Sequence, residues 1–206
     1  RAGRIQFLLL TLIASGFVIF GREIIHLWVG NAYNNAYFIA LILIIAATIP
    51  FLQSIGIEIQ RAKNKHKFRS IAFLLIAIIN IAISIPLAKM HGGIGSAIGT
   101  GISLIVGNVL IMNWYYHKKI GLDIKFFWKE IIKFFPALIF PSIVGFVLMF
   151  YFNINQFLPL ISAIMVYSFC YISSMWLLGL NSYEKGIVMN QLHKLKLINS
   201  RKNQIN

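Results

Sequence analysis

The sequence predicts an all-α, polytopic membrane protein with six transmembrane helices, and three observations lead there. Of 206 residues, 59% are hydrophobic and 12% charged, with mean hydropathy +0.79, whereas about a quarter of a soluble domain is charged. Six runs lack Asp, Glu, Lys and Arg: 5–20, 36–57, 70–88, 94–114, 136–152 and 157–178. At about 1.5 Å per residue, each crosses most or all of a hydrocarbon core of about 30 Å. The third observation is where the cations fall. Taken in order, the connections carry two, one, five, one, five, no and five Lys or Arg, so seventeen lie on one side and two on the other. Short basic loops stay cytoplasmic, which puts both ends of the chain there.

The first span, 5–20, is the shortest and begins close to Arg1. Five further spans follow and no small-residue cleavage site is evident, so it reads as a span and not a signal peptide. A start that is not Met gives the expectation that the chain is a fragment, lacking an N-terminal portion. The second span, 36–57, contains Pro50, which cannot donate to the Ala46 carbonyl. A kink or hinge is expected there, with Gln53 and Ser54 just beyond it. The kink is either purely structural or brings polar groups to a cavity.

Next comes EIQRAKNKHKFRS, 58–70, in which Arg61, Lys63, Lys65, Lys67 and Arg69 stand against one acid. On a soluble protein of net charge +14 such a cluster would suggest nucleic acid. Between two apolar spans it is a topology signal facing anionic membrane lipid, and no nucleic-acid partner is expected. The third and fourth spans, 70–88 and 94–114, carry Asn80 and then Thr100, Ser103, Asn108 and Asn113 at membrane depth. Unpaired polar groups are unfavourable in hydrocarbon, so these face protein or water, through interhelical hydrogen bonds or substrate contact. Gly95, Gly99, Ser103 and Gly107 recur every fourth residue as a helix-packing stripe, either static or allowing helices to slide. GSAIGTG, 95–101, has the glycine spacing of some nicotinamide sites, but it runs into an apolar helix without the strand that such sites need.

After Gly121, a predicted helix stop, Asp123 is placed to cap IKFFWKEIIKFF. There Lys125, Lys129 and Lys133 recur every fourth residue beside an aromatic and Ile face, the pattern of an interfacial helix. The fifth span, 136–152, and the sixth, 157–178, complete a lobe over 1–178. The remaining 179–206 reads as a cytoplasmic amphipathic tail, with capping-box spacing at Asn181 and Glu184 and with Tyr183, Ile187, Val188, Leu192, Leu195 and Ile198 at helical intervals. Both amphipathic segments suit membrane anchoring or partner docking. The lone Cys170 allows no internal disulfide. All five acids lie in connections and the five His are scattered, so no catalytic residues, metal ligands or cofactor site are expected.

NIAISIPLAKMHGGIGSAIGT, 80–100, resembles the Asn, Pro, Gly-rich turn and Thr pattern of polysaccharide-unit (O-antigen type) flippases of the multidrug/oligosaccharidyl-lipid/polysaccharide exporter superfamily. The matching positions are Asn80, Pro86, Gly92, Gly95, Ala97 and Thr100; GREIIHLWVGNAY, 21–33, and SYEKGIV in the tail are similar to further stretches of that family. The resemblance implies the second six-helix lobe of a two-lobe transporter in the bacterial cytoplasmic (inner) membrane, partnered by an N-terminal six-helix lobe. It also implies flipping of undecaprenyl-diphosphate-linked oligosaccharide from inner to outer leaflet, without enzymatic chemistry. No Arg or Lys lies inside a span, so the family's cavity-facing cations have no counterpart here. The expected substrate-binding residues are Gln53, Asn80, Thr100 and Asn108, with Arg61, Lys63 and Lys65 gathering diphosphate on the cytoplasmic side. A drug or cation antiporter lobe and a non-transporting membrane scaffold are the alternatives.

Overall fold

A computed structural model describes residues 2–65, 67–151, 156–186 and 189, and its regular elements are all helical. Helix α1 (Ala2–Val29) runs nine residues past the predicted span end at Phe20. Charge ends an apolar run without ending a helix, and Arg22 and Glu23 are helix-compatible; the helix stops at Gly30, whose φ is 86°. After a 3₁₀ turn, α2 (Asn34–Leu52) contains Pro50 and gives way at Gln53 to α3 (Ser54–Ala62). The predicted kink is thus a break between two helices, three residues beyond the proline.

Helix α4 (Lys67–Ile105) continues through a π-helical stretch (Val106–Met112), one α turn, α5 (Asn113–Tyr115), and a second π-helical stretch (Tyr116–Ile120). A straight run of that length would measure about 80 Å. Instead it reverses at Gly92, the one non-helical residue inside α4, with φ 59° and ψ −140°. Side chains adopt such a backbone only under strain, so Gly suits the position. The two limbs lie antiparallel: Gly95 meets Leu87, Gly99 meets Ser84, Gly107 meets Ile76, and Phe68 stacks on Tyr115 with centroids 4.0 Å apart.

The second π-helical stretch ends at Gly121, with φ 79°, where a helix stop is expected. Helix α6 (Ile124–Ile132) follows, capped by Asp123, whose Oδ1 accepts from Phe126 N at 2.9 Å. Helices α7 (Phe135–Tyr151) and α8 (Phe157–Ser174), the latter extended by a π-helical turn to Gly179, close the chain's apolar part. The capping box forms: Glu184 N donates to Asn181 Oδ1 at 2.9 Å, and Asn181 N donates to Glu184 Oε2 at 3.0 Å. The rest of the predicted tail, 187–188 and 190–206, lies outside the described residues.

Two clusters hold the bundle. Phe7 and Phe20 of α1 pack with Ile131 of α6, Ala137 of α7, and Tyr167 and Tyr171 of α8. Ala72, Met112, Tyr115, Tyr116 and Ile120 tie the base of the α4 hairpin, while α2 packs along α4 and against α1. Large apolar side chains elsewhere point outward, Leu74 at 64% and Phe169 at 73% exposed among them. In water that surface would be untenable; in lipid it is the solvated face. Five described helical runs are long and apolar enough to cross a membrane: Gln6–Val29, Asn31–Leu52, Lys67–Ile120, Ile124–Tyr151 and Phe157–Gly179. Six were expected; the longest run holds the third and fourth predicted spans, joined by helical backbone on either side of Gly92.

Candidate functional site

Among the described residues, the connections rich in Lys and Arg meet at one end of the bundle. Arg4, near the start of α1, donates through Nε to Glu184 Oε1 at 2.6 Å and through Nη2 to Gly179 O at 3.1 Å. It also pairs with Glu130 of α6, and its guanidinium lies 4.5 Å from the Phe134 ring centroid. Glu184 is 1% exposed, so this ion triad is largely withdrawn from solvent and holds together three segments distant in sequence. Lys63 Nζ donates to Ile120 O at 2.7 Å and Lys65 Nζ to Lys119 O at 3.1 Å. Both lysines therefore sit on terminal carbonyls of the long helical run, where the helix dipole favours cations. Arg61 pairs with Glu58 at 2.9 Å and is well exposed.

A cavity of about 490 Å³ opens at this end, with Leu52, Gln53, Tyr116, Phe127, Glu130 and Ile131 on its wall. Gln53 is 5% exposed; its Nε2 donates to Asn113 Oδ1 at 2.7 Å and Asn108 O at 3.2 Å. Its Oε1 has no partner among the described residues. The break after Pro50 therefore delivers a polar side chain to the π-helical part of the facing limb, where Asn108 is buried and donates Nδ2 to Leu104 O at 2.8 Å. The arrangement places a buried, unpartnered acceptor behind the cavity's aromatic and apolar walls.

The sequence-expected residues divide accordingly. Gln53 and Asn108 come together, with Asn113 beside them. Asn80 instead accepts from Ser84 Oγ within its own limb at 2.7 Å, and Thr100 is half-buried on the second limb. Gly95, Gly99, Ser103 and Gly107 are all buried, and the three glycines face the first limb of α4. No group of three or more His, Cys, Asp and Glu able to hold a metal occurs among the described residues.

Sequence reasoning missed a polar ladder between α1 and α8. Tyr171 Oη donates to Leu8 O at 2.8 Å and lies 2.6 Å from Thr11 Oγ1, and Tyr167 Oη donates to Ser15 Oγ at 2.7 Å. The matching four-residue spacings, Thr11 with Ser15 and Tyr167 with Tyr171, were the available signal. The Arg4 triad left no local signal, because Arg4 is more than a hundred residues from either acid.

Apolar helices facing outward, most buried polar groups paired inward and cations collected at one end define a multi-pass helical membrane protein. An uncharacterized membrane protein of Bacillus subtilis (strain 168), EpsK, is 27% identical over 203 residues, which cover 95% of this chain and 39% of that protein. The chain thus spans about two-fifths of the length of the curated relative it matches. No protein-family model matches the chain, and no solved structure matches it significantly.

Proposed function

We propose that the chain is one lobe of a two-lobe flippase that carries lipid-linked oligosaccharide, on an undecaprenyl diphosphate, from the inner to the outer leaflet of a bacterial cytoplasmic membrane. This reading takes the two limbs of 67–120 as separate spans, six in all, with both ends cytoplasmic; the antiparallel contacts across Gly92 support it. The observation that carries the proposal is Gln53, bonded to Asn108 and Asn113, on a cavity wall at the end where the cations gather. A hydrophilic headgroup needs such a polar opening while its lipid tail stays in hydrocarbon, and a second lobe supplies the opposite wall. The match to part of a much longer membrane protein is consistent with a partner lobe. An antiporter of drugs or cations is the second reading, favoured by Asp123 and Glu130 on the same wall. The function of a transporter, and not of an enzyme, makes the discriminating experiment direct. Full-length protein in vesicles with a fluorescent diphosphate-linked glycolipid moves label between leaflets without altering it, and Gln53→Leu slows that movement. Efflux of small organic cations with no movement of any lipid-linked sugar overturns the flippase in favour of the antiporter.

A further inference from the structure

The five cations of 61–69 do not act alike. Lys63 and Lys65 sit on helix-end carbonyls, whereas Arg61 and Arg69 line a separate groove of about 640 Å³ between α3 and the start of α4. Arg69 is held in place: its Nη1 donates to Tyr116 Oη at 3.0 Å and its guanidinium lies 4.6 Å from the Phe73 ring centroid. Arg69 lies in the first turn of α4, where the first N–H groups have no partner within the helix, so the groove combines two guanidinium groups with a helix N-terminus. An independent observation points to a ligand with hydroxyl donors as well. Gln60, on the same wall, is 0% exposed; its Nε2 donates to Lys65 O at 2.8 Å, and its buried Oε1 has no partner among the described residues. A buried acceptor left unmade is unfavourable, and a hydroxyl group reaching it removes the penalty.

We propose that this groove binds a lipid phosphate headgroup bearing hydroxyl groups, with Arg61 and Arg69 on the phosphate and Gln60 Oε1 accepting from a hydroxyl. Two lipids share this chemistry: a glycosylated polyprenyl diphosphate and phosphatidylglycerol. The glycosylated case deepens the transport reading and rests on it. If the vesicle experiment shows no glycolipid movement, that reading falls, while the groove stands or falls by titration alone.

The test uses the protein in phosphatidylcholine nanodiscs, with bound lipid counted by native mass spectrometry. The probes are phosphatidylglycerol, phosphatidic acid, whose headgroup has no alcohol hydroxyl, and a polyprenyl-diphosphate sugar, at a pH where the phosphatidic acid is fully ionised. Arg61→Gln with Arg69→Gln weakens binding of the preferred probe by at least about tenfold, whereas Lys125→Gln with Lys129→Gln, which removes equal charge from the same end, changes it less than about twofold. Arg69 also packs on Phe73, so Arg61→Gln alone, at an exposed position, gives the reading if the double variant fails to fold. Gln60→Leu abolishes the preference for hydroxyl-bearing probes over phosphatidic acid and leaves phosphatidic acid binding unchanged. Tighter binding of the sugar lipid or of phosphatidylglycerol identifies which lipid is the ligand. Equal losses in the Arg and Lys pairs, or a hydroxyl preference that survives Gln60→Leu, overturn the proposal.

Discussion

A Cβ added at Gly99 would lie 2.8 Å from Ser84 Cα and 3.0 Å from Ser84 N, both backbone atoms that cannot yield without moving a helix. At Gly101 the nearest atom is Ile42 Cγ2, 3.1 Å away on a side chain able to change rotamer. Gly99→Ala is therefore expected to destabilise by about 1–3 kcal/mol through overpacking, and Gly101→Ala by much less; thermal unfolding in detergent checks the order. The four-residue spacing made this stripe legible in the sequence, because close approach of helices in lipid needs small residues on one face. Which helix approaches was not legible. Gly95, Gly99 and Gly107 face the hairpin's own first limb, while Gly93 and Gly101 face α2. Gln60 was missed for a similar reason: it falls inside a charged connection, and its burial arises from the fold around it.

At the scale of elements, Asp123 and the Asn181–Glu184 pair were readable because a cap is a local arrangement of three or four residues. How those elements dock was not readable. Arg4 fastens the start of α1 to α6 and to the segment after α8, leaving Glu184 at 1% exposure. Arg4→Leu removes the cation from a buried carboxylate, so a loss of about 3 kcal/mol is expected. Lys133→Gln leaves a pair whose cation is 57% exposed, and under about 1 kcal/mol should go with it. Equilibrium unfolding in mixed micelles compares the two. The extension of α1 to Val29 is an element-scale lesson too. A charge-free run bounds the apolar part of a helix, and its termini are set instead by residues such as Gly30.

For the whole molecule, the alternation of cations along the sequence becomes a segregation in space. Arg4, Lys63, Lys65, the 118–120 turn and α6 come together, whereas Tyr37 bonds Val18 O and Ile39 lies against Gly93 toward the other end. With Cys170→Ser as background, Lys118→Cys is expected to be shielded from an impermeant thiol reagent in intact cells and His91→Cys to be labelled. The reverse pattern would invert the bundle. Composition and charge spacing alone predicted the all-helical class, since both report on solvent and not on pairing. The count of helical runs differed from the count of charge-free runs because the limbs on either side of Lys89 meet at the single non-helical residue Gly92 and so form one continuous run.

The chain turns back at Gly92 with helical backbone on either side, so no loop segment separates the two limbs. The first limb presents Ser84 and Ile76 to glycines that the ribosome has yet to add. The two limbs are therefore expected to leave the translocation channel together, as a helical hairpin with Lys89 near its tip. The hairpin's apolar residues far outweigh the roughly 3 kcal/mol that one Lys opposes to insertion. The contact between Gly99 and Ser84 is then expected to form while α6, α7 and α8 are still being translated.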